Sequence, residues 1–210
     1  MRSNLLPVLK EGWIYIFWAL GFFVLFTLLE CTLLQFLTFF AILGFVYLYR
    51  NPEREFPMFQ DASVTSPVDG IVLSIEEIED KEYGYKVVIE SDFSDVAVFR
   101  APISGSTLLM QHTKGTRLSK HDALFAKTNE NAVIVFETTG QNKVKVVHTS
   151  KQNFSGINVN IIQTQNVVQT LRYGSMINGI TTMYLPKNFR LDINTSTQVT
   201  GSETLIGYFS

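Results

Sequence analysis

The sequence predicts a mostly β domain, a flattened β-sandwich, preceded by an N-terminal transmembrane helical hairpin. Three observations predict it. Trp13 to Tyr49 is one apolar run whose single charge is Glu30. From Val64 onward the chain breaks into short β-branched or aromatic stretches, punctuated by Gly, Asn, Ser and Asp. Between them "LSKHDALFAK" offers only a turn or two of helix, and no long amphipathic pattern appears. The organisation that follows is a membrane hairpin over 1–50, a linker over 51–63 and a β-domain over 64–210.

The hairpin comes first. The chain is 46% hydrophobic and 17% charged, and the apolar excess is concentrated in that run. One crossing takes roughly 20 apolar residues. The run is nearly twice that, so it reads as two short spans, about 13–29 and 32–49, turning near Glu30-Cys31-Thr32. Trp13, Tyr15, Trp18, Tyr47 and Tyr49 gather at the outer ends, where interfacial aromatics belong. The run is too long and too aromatic for a signal peptide, whose apolar region is about 7–15 residues. Arg2 and Lys10 precede the hairpin, and Arg50 and Arg54 follow it. Both ends therefore belong on the cytoplasmic side, and the β-domain with them. Cys31 is the sole cysteine, which excludes an intrachain disulfide and a cysteine-based metal site.

The linker "NPEREFPMFQDAS" is polar and proline-bearing. Beyond it, "IVLSI", "YKVVIE", "VAVFRA", "AVIVFE", "KVKVVH", "INVNIIQ" and "TTMYLP" read as strands. "SPVDGIV" and "APISGST" echo one another as small-Pro-apolar-x-Gly, a pattern that suits two similar hairpins interlocked in a sandwich, or two unrelated turns. Three of the 17 basic and two of the 19 acidic residues lie in the first 50, which leaves the rest mildly acidic. No basic stripe points to nucleic acid.

The motifs occur in a telling order: an apolar N-terminal run, "YRNPERE", "VTSPVDGIVLSI", "SDVAVFRAPISG", "NENAVIVFE", "RYGSMINGITTMYLP" and "VTGSETLIG". This series resembles the short, membrane-anchored form of phosphatidylserine decarboxylase. The resemblance implies a chain that cuts itself between Gly and Ser, so that the serine becomes a covalent pyruvoyl group and no added cofactor is required. That carbonyl would hold the amine of phosphatidylserine while carbon dioxide leaves. It also implies a phospholipid bilayer as partner, with phosphatidylserine or another aminophospholipid as ligand, and a protein partner in lipid synthesis.

Carried over residue by residue, the resemblance makes Asp69 the family's aspartate; read locally, Asp69 is a turn residue beside Gly70. The family's base histidine falls on Ala97 and its asparagine on Phe99. A methyl group takes no proton. His112, His121 and His148 remain, none at the matching place. Counting back from Tyr184-Leu185-Pro186, the nucleophile falls on Gly179 or Ile180, neither with a hydroxyl. Gly174-Ser175 lies about four residues too early at roughly 3.3 Å per residue, so it reads as a turn. The expectation is a noncatalytic relative at the bilayer that binds a lipid headgroup or partners a lipid enzyme. Its alternative is an active decarboxylase that cleaves at Gly174-Ser175, makes phosphatidylethanolamine and uses Asp69 and Ser175. A carrier domain modified at Lys81 fits less well, since Glu82-Tyr83 is a poor flank for a carrier lysine. No metal site is expected.

Overall fold

The structure is a computed structural model that describes residues 6–54 and 62–210. Arg2 and most of the linker lie outside the described residues. The chain divides into two compact units, Met1–Glu53 and Arg54–Ser210.

The first unit holds helices α1 (Lys10–Leu28) and α2 (Thr32–Leu48). Glu30, at φ 54°, makes the turn between them. Tyr15 stacks on Phe45 and Tyr49, and Phe23 meets Phe39, so the helices run antiparallel. The amide of Leu9 closes the base on Tyr49 O at 2.9 Å. α1 is long and apolar enough to cross a membrane; α2, with 17 residues, is shorter.

The second unit is mostly β. In chain order its strands are β1 (Ser63–Thr65), β2 (Gly70–Glu77), β3 (Tyr85–Ser91), β4 (Val98–Arg100), β5 (Gly105–Thr113), β6 (Asn131–Glu137), β7 (Lys143–Ser150) and β8 (Asn158–Val159). There follow β9 (Asn166–Val167), β10 (Arg172–Ser175), β11 (Gly179–Leu185), β12 (Phe189–Leu191), β13 (Gln198–Val199) and β14 (Leu205–Phe209). One short helix, α3 (Phe125–Thr128), sits in the "LSKHDALFAK" segment. Eight strands form one sheet in the order β13-β2-β3-β11-β7-β6-β5-β9, and β1-β14-β12 and β4-β10-β8 form two small ones. Burial alternates along β7 and β11, so each turns one face to the core. Val87, Ile134, Val146 and Met183 of the large sheet share that core with Val64, Phe99, Tyr173 and Ile206 of the small ones.

The five-residue echo is a structural repeat. Gly70 and Gly105 each open a strand at φ 152°, where a Cβ would fall 2.2 Å from Glu90 O and 1.9 Å from Glu137 O. Only glycine tolerates that φ and that approach. Both strands then bulge at the same step, between Val72 and Ser74 and between Thr107 and Leu109. Each glycine also faces a short outer strand, through Val199 and Val167.

Two sequence readings are corrected. Gly174-Ser175 is not a turn: it lies in β10, hydrogen-bonded to β4 on one side and β8 on the other. Gly174 is there for close approach, since a Cβ would meet Asn158 O at 2.3 Å. The turn falls at Met176–Asn178 instead. Arg54, read as linker, belongs to the β unit, and β1 already begins at Ser63.

Candidate functional site

One end of the large sheet gathers the candidate residues. The registers Gly179↔Ser91, Gly179↔Ser150, Asn131↔Thr149 and Ile71↔Glu90 bring the ends of β3 and β7 and the starts of β2, β6 and β11 to that end. Asp69, just before β2, and the turn between β10 and β11 therefore lie close together.

Asp69 is held by an arginine and a backbone amide. Its Oδ1 accepts from Arg54 Nη1 at 2.7 Å and from the Gly201 amide at 2.8 Å, and its Oδ2 accepts from Arg54 Nη2 at 2.6 Å. Arg54 also donates to Gly201 O at 2.7 Å. The repeat explains half of this. Ser104, before Gly105, accepts from the Gln169 amide just as Asp69 accepts from that of Gly201. Both carboxylate oxygens are thus engaged with an arginine rather than a histidine.

Ala97 and Gly179, the positions matched to the base and the nucleophile, are bridged by one residue. The Met176 amide donates to Ala97 O at 2.8 Å. Its thioether turns the other way: a Cβ on Gly179 would lie 2.4 Å from Met176 Sδ and Cε, and 2.5 Å from Thr149 O. Met176 is itself only 2% exposed. Ile180 lies one step further along β11, paired with Glu90 and Thr149.

None of the three histidines stands at the position matched to the base. His148 is wholly buried on β7, flat against Phe99 with ring centres 3.6 Å apart. Its Nε2 lies 2.6 Å from Tyr173 Oη and its Nδ1 2.8 Å from Thr181 Oγ1. Burial drives its pKa down to about 3 and holds the Tyr173 phenol well above its ordinary value. The phenol, being protonated, donates to Nε2, which leaves Nδ1–H to donate to Thr181. His112 meets the buried Glu130 carboxylate at 3.0 Å, beside Arg117, and His121 is exposed on the β5–β6 loop. Ser175 is buried, at 6% exposure.

The sequence reading missed an ion cluster beside this turn. Lys151, whose side chain is only 9% exposed, is bonded to Glu90 and lies 3.0 Å from Asp92. Lys120 also reaches Glu90, at 2.7 Å. Burial opposes ionisation of Glu90, but the hydrogen bonds from Lys120 and Lys151 outweigh it and lower its pKa. The Lys151 amide donates to Asn178 O, tying the cluster to the turn. Lys81 lies at the opposite end, in the exposed loop between β2 and β3. Among the described residues, no group of three or more His, Cys, Asp or Glu side chains could hold a metal ion.

A family model described as Phosphatidylserine decarboxylase matches residues 42–207. The chain belongs to the phosphatidylserine decarboxylase family. It is 28% identical to the phosphatidylserine decarboxylase proenzyme of Desulfotalea psychrophila, with 99% of both chains covered. The proenzyme of Geobacter metallireducens is also 28% identical, again over 99% of both chains. That of a Wolbachia endosymbiont of Brugia malayi is 28% identical over 98% of this chain and 93% of its own. The family assignment places the chain in phospholipid metabolism. Together with the apolar helix α1, it points to membrane association.

Proposed function

We propose that this chain is a noncatalytic member of the phosphatidylserine decarboxylase family, held at the membrane by its N-terminal helices, that binds a lipid headgroup or partners a lipid enzyme. Met176 carries the reading. Its amide is bonded to Ala97, and its thioether fills the space that a nucleophile side chain at Gly179 would need. A serine-derived pyruvoyl group does not fit these residues: Gly179 and Ile180 have no hydroxyl, and Ala97 has no base. Ser175 is the buried last residue of β10, and Asp69 is paired with Arg54. Self-cleavage needs a hydroxyl held against the preceding carbonyl and a base within about 3 Å.

Intact-mass analysis tests this directly. The expected result is one chain near 23.8 kDa, unchanged in Ser175→Ala, with no carbon dioxide released from phosphatidylserine. A blocked fragment beginning at residue 175, and lost in Ser175→Ala, would instead establish the active enzyme.

The topology proposed with this function puts two helices across the membrane and the β unit on the cytoplasmic side. Lys10 and Arg50, at the two ends of the apolar run, support it. A reporter fused after Ser210 is expected in the cytoplasm; an external reporter would overturn both the side and the span count.

A further inference from the structure

We propose that two copies of this chain pair edge to edge through β5, extending the large sheet across an antiparallel dimer. The terminal strand β9 covers only the start of β5. It pairs with Gly105 and Ser106, and the last contacts fall at Thr107. There the Thr107 amide donates to Gln165 O at 2.9 Å, and its carbonyl accepts from the Thr164 amide at 2.7 Å. From Leu109 to Thr113 the strand runs in unbroken register with β6, and among the described residues no strand pairs with its other side. Leu109, Gln111, His112 and Thr113 are all exposed. Such an uncovered row of amides and carbonyls is a template for another strand.

The repeat supplies a second edge for comparison. β13 covers the start of β2 as β9 covers that of β5: the Val72 amide donates to Thr197 O at 3.0 Å, and its carbonyl accepts from the Ser196 amide at 2.7 Å. Beyond it, Ser74 to Glu77 is likewise paired on one side among the described residues. Counted from Gly70 and Gly105, Glu76 stands where β5 has Gln111, and Glu77 where it has His112. Charges along an open edge keep other strands away. The β2 edge is guarded by its acids. β5 carries no Asp, Glu, Lys, Arg or Pro, so its edge is not.

Self-complementarity selects the occupant. Met110 pairs with the buried Ile134, so Leu109, Gln111 and Thr113 share the opposite face of the sheet. A two-fold axis through Gln111, the middle of the free stretch, sets Gln111 against its own copy, Leu109 against Thr113 and Met110 against His112. Two glutamine amides can hydrogen-bond one another, and no like charges face across the seam. Lys114 falls opposite Leu108, and Thr107, where β9 ends, falls opposite Gly115, where β5 has already ended. The same axis through Glu76 of β2 would set two carboxylates face to face, which is destabilising. So short a ladder buries less than the roughly 1,200 Å² of a stable interface between freely diffusing proteins. Confinement makes up the difference: α1 is long and apolar enough to cross a membrane, and chains held in one bilayer meet at high effective concentration. The pairing does not depend on whether the chain processes itself.

The test uses the full chain in liposomes at a fixed protein-to-lipid ratio, with Cys31→Ser and one introduced cysteine. Facing Cα atoms in an antiparallel pair are about 4.5–5.5 Å apart, within reach of a disulfide. Under mild oxidation Gln111→Cys should give several-fold more linked dimer than Leu73→Cys, which is 43% exposed on the β2 edge and leaves its acids intact. Leu109→Cys and Thr113→Cys read the register: reconstituted together they should crosslink, and each alone several-fold less. Adding Gln111→Glu to both sets carboxylate against carboxylate. It should cut the mixed yield several-fold and leave thermal unfolding unchanged, because the side chain is exposed. Equal yields at positions 111 and 73 overturn the proposal. So does a mixed yield no greater than that of the singles, or one indifferent to Gln111→Glu. A crosslink from position 111 to a chain of another mass would mean that a different protein holds this edge, and a second copy would be the wrong occupant. Intact mass of the same samples after reduction reads the noncatalytic assignment separately.

Discussion

Gly179→Ala is the most direct perturbation of the proposed site. The added Cβ would stand 2.4 Å from Met176 Sδ and Cε and 2.5 Å from Thr149 O. Ordinary carbon contacts are about 3.5–4.0 Å. The thioether can swing aside, but the carbonyl belongs to β7, whose ladder with β11 pins it. Overpacking of this kind costs about 1–3 kcal/mol. For a unit of 150–250 residues, each kcal/mol lowers Tm by about 2–4 °C, so a loss of roughly 2–12 °C is expected. Thermal unfolding followed by circular dichroism reads it. Met176→Ala alone should also destabilise, by about 2–5 kcal/mol, because the side chain is buried. The double variant separates the two contacts. Relief of the Met176 clash should make it more stable than the sum of the singles, by about 0.5 kcal/mol or more. The residual cost belongs to Thr149 O. Gly179→Ser, which restores a hydroxyl, should be destabilised in the same way and yield no fragment. A Gly179→Ala variant as stable as the parent, or strict additivity with Met176→Ala, would refute the claim that Met176 fills this space.

Two further predictions rest on buried polar groups. Arg54→Ala strands the largely buried Asp69 carboxylate, and breaking such a pair costs about 3–5 kcal/mol; chemical denaturation should show that adding Asp69→Ala recovers part of the loss, whereas simple additivity would mean the ion pair is not the reason. His148 stays neutral in the fold down to about pH 3, while the unfolded chain binds its proton near the ordinary value of about 6.5. The unfolded state therefore holds more protons in that window, and stability is full above it and falls with pH, by up to about 1.4 kcal/mol per unit from this group. His148→Phe should flatten the slope of the denaturation midpoint against pH by one proton, and an unchanged slope would show that His148 is not its source.

Much of the fold was legible because it is written locally. β2, β3, β6, β7 and β11 are rich in β-branched and aromatic residues, and each was read as a strand. β5 was missed, because "STLLMQH" is mostly unbranched and its strand state comes from pairing with β6. β10 was missed for a sharper reason. "RYGS" has the composition of a turn, yet Gly174 is needed so that Asn158 and Phe99 can approach it. The echo of "SPVDG" in "APISG" was visible, but five residues could not distinguish a repeat from coincidence. The matching φ, bulge and outer strand at Gly70 and Gly105 do.

By itself the sequence determined which chemical groups are available: no hydroxyl at Gly179 or Ile180, no imidazole at Ala97, one long apolar run near the N-terminus broken only by the charge of Glu30, and the motif order of the family. These are properties of side chains at known positions, so no coordinates are needed to read them. Only the tertiary structure decided how those groups are used. Arg54 reaches Gly201, 147 residues away, and closes on Asp69. Met176 takes the room beside Gly179, and His148 loses its proton to burial against Phe99 and Tyr173. Lys151, just after β7, finds Glu90 and Asp92 across β11. Each of these depends on desolvation or on a contact between distant segments, and both arise only when the sheets close over a common core.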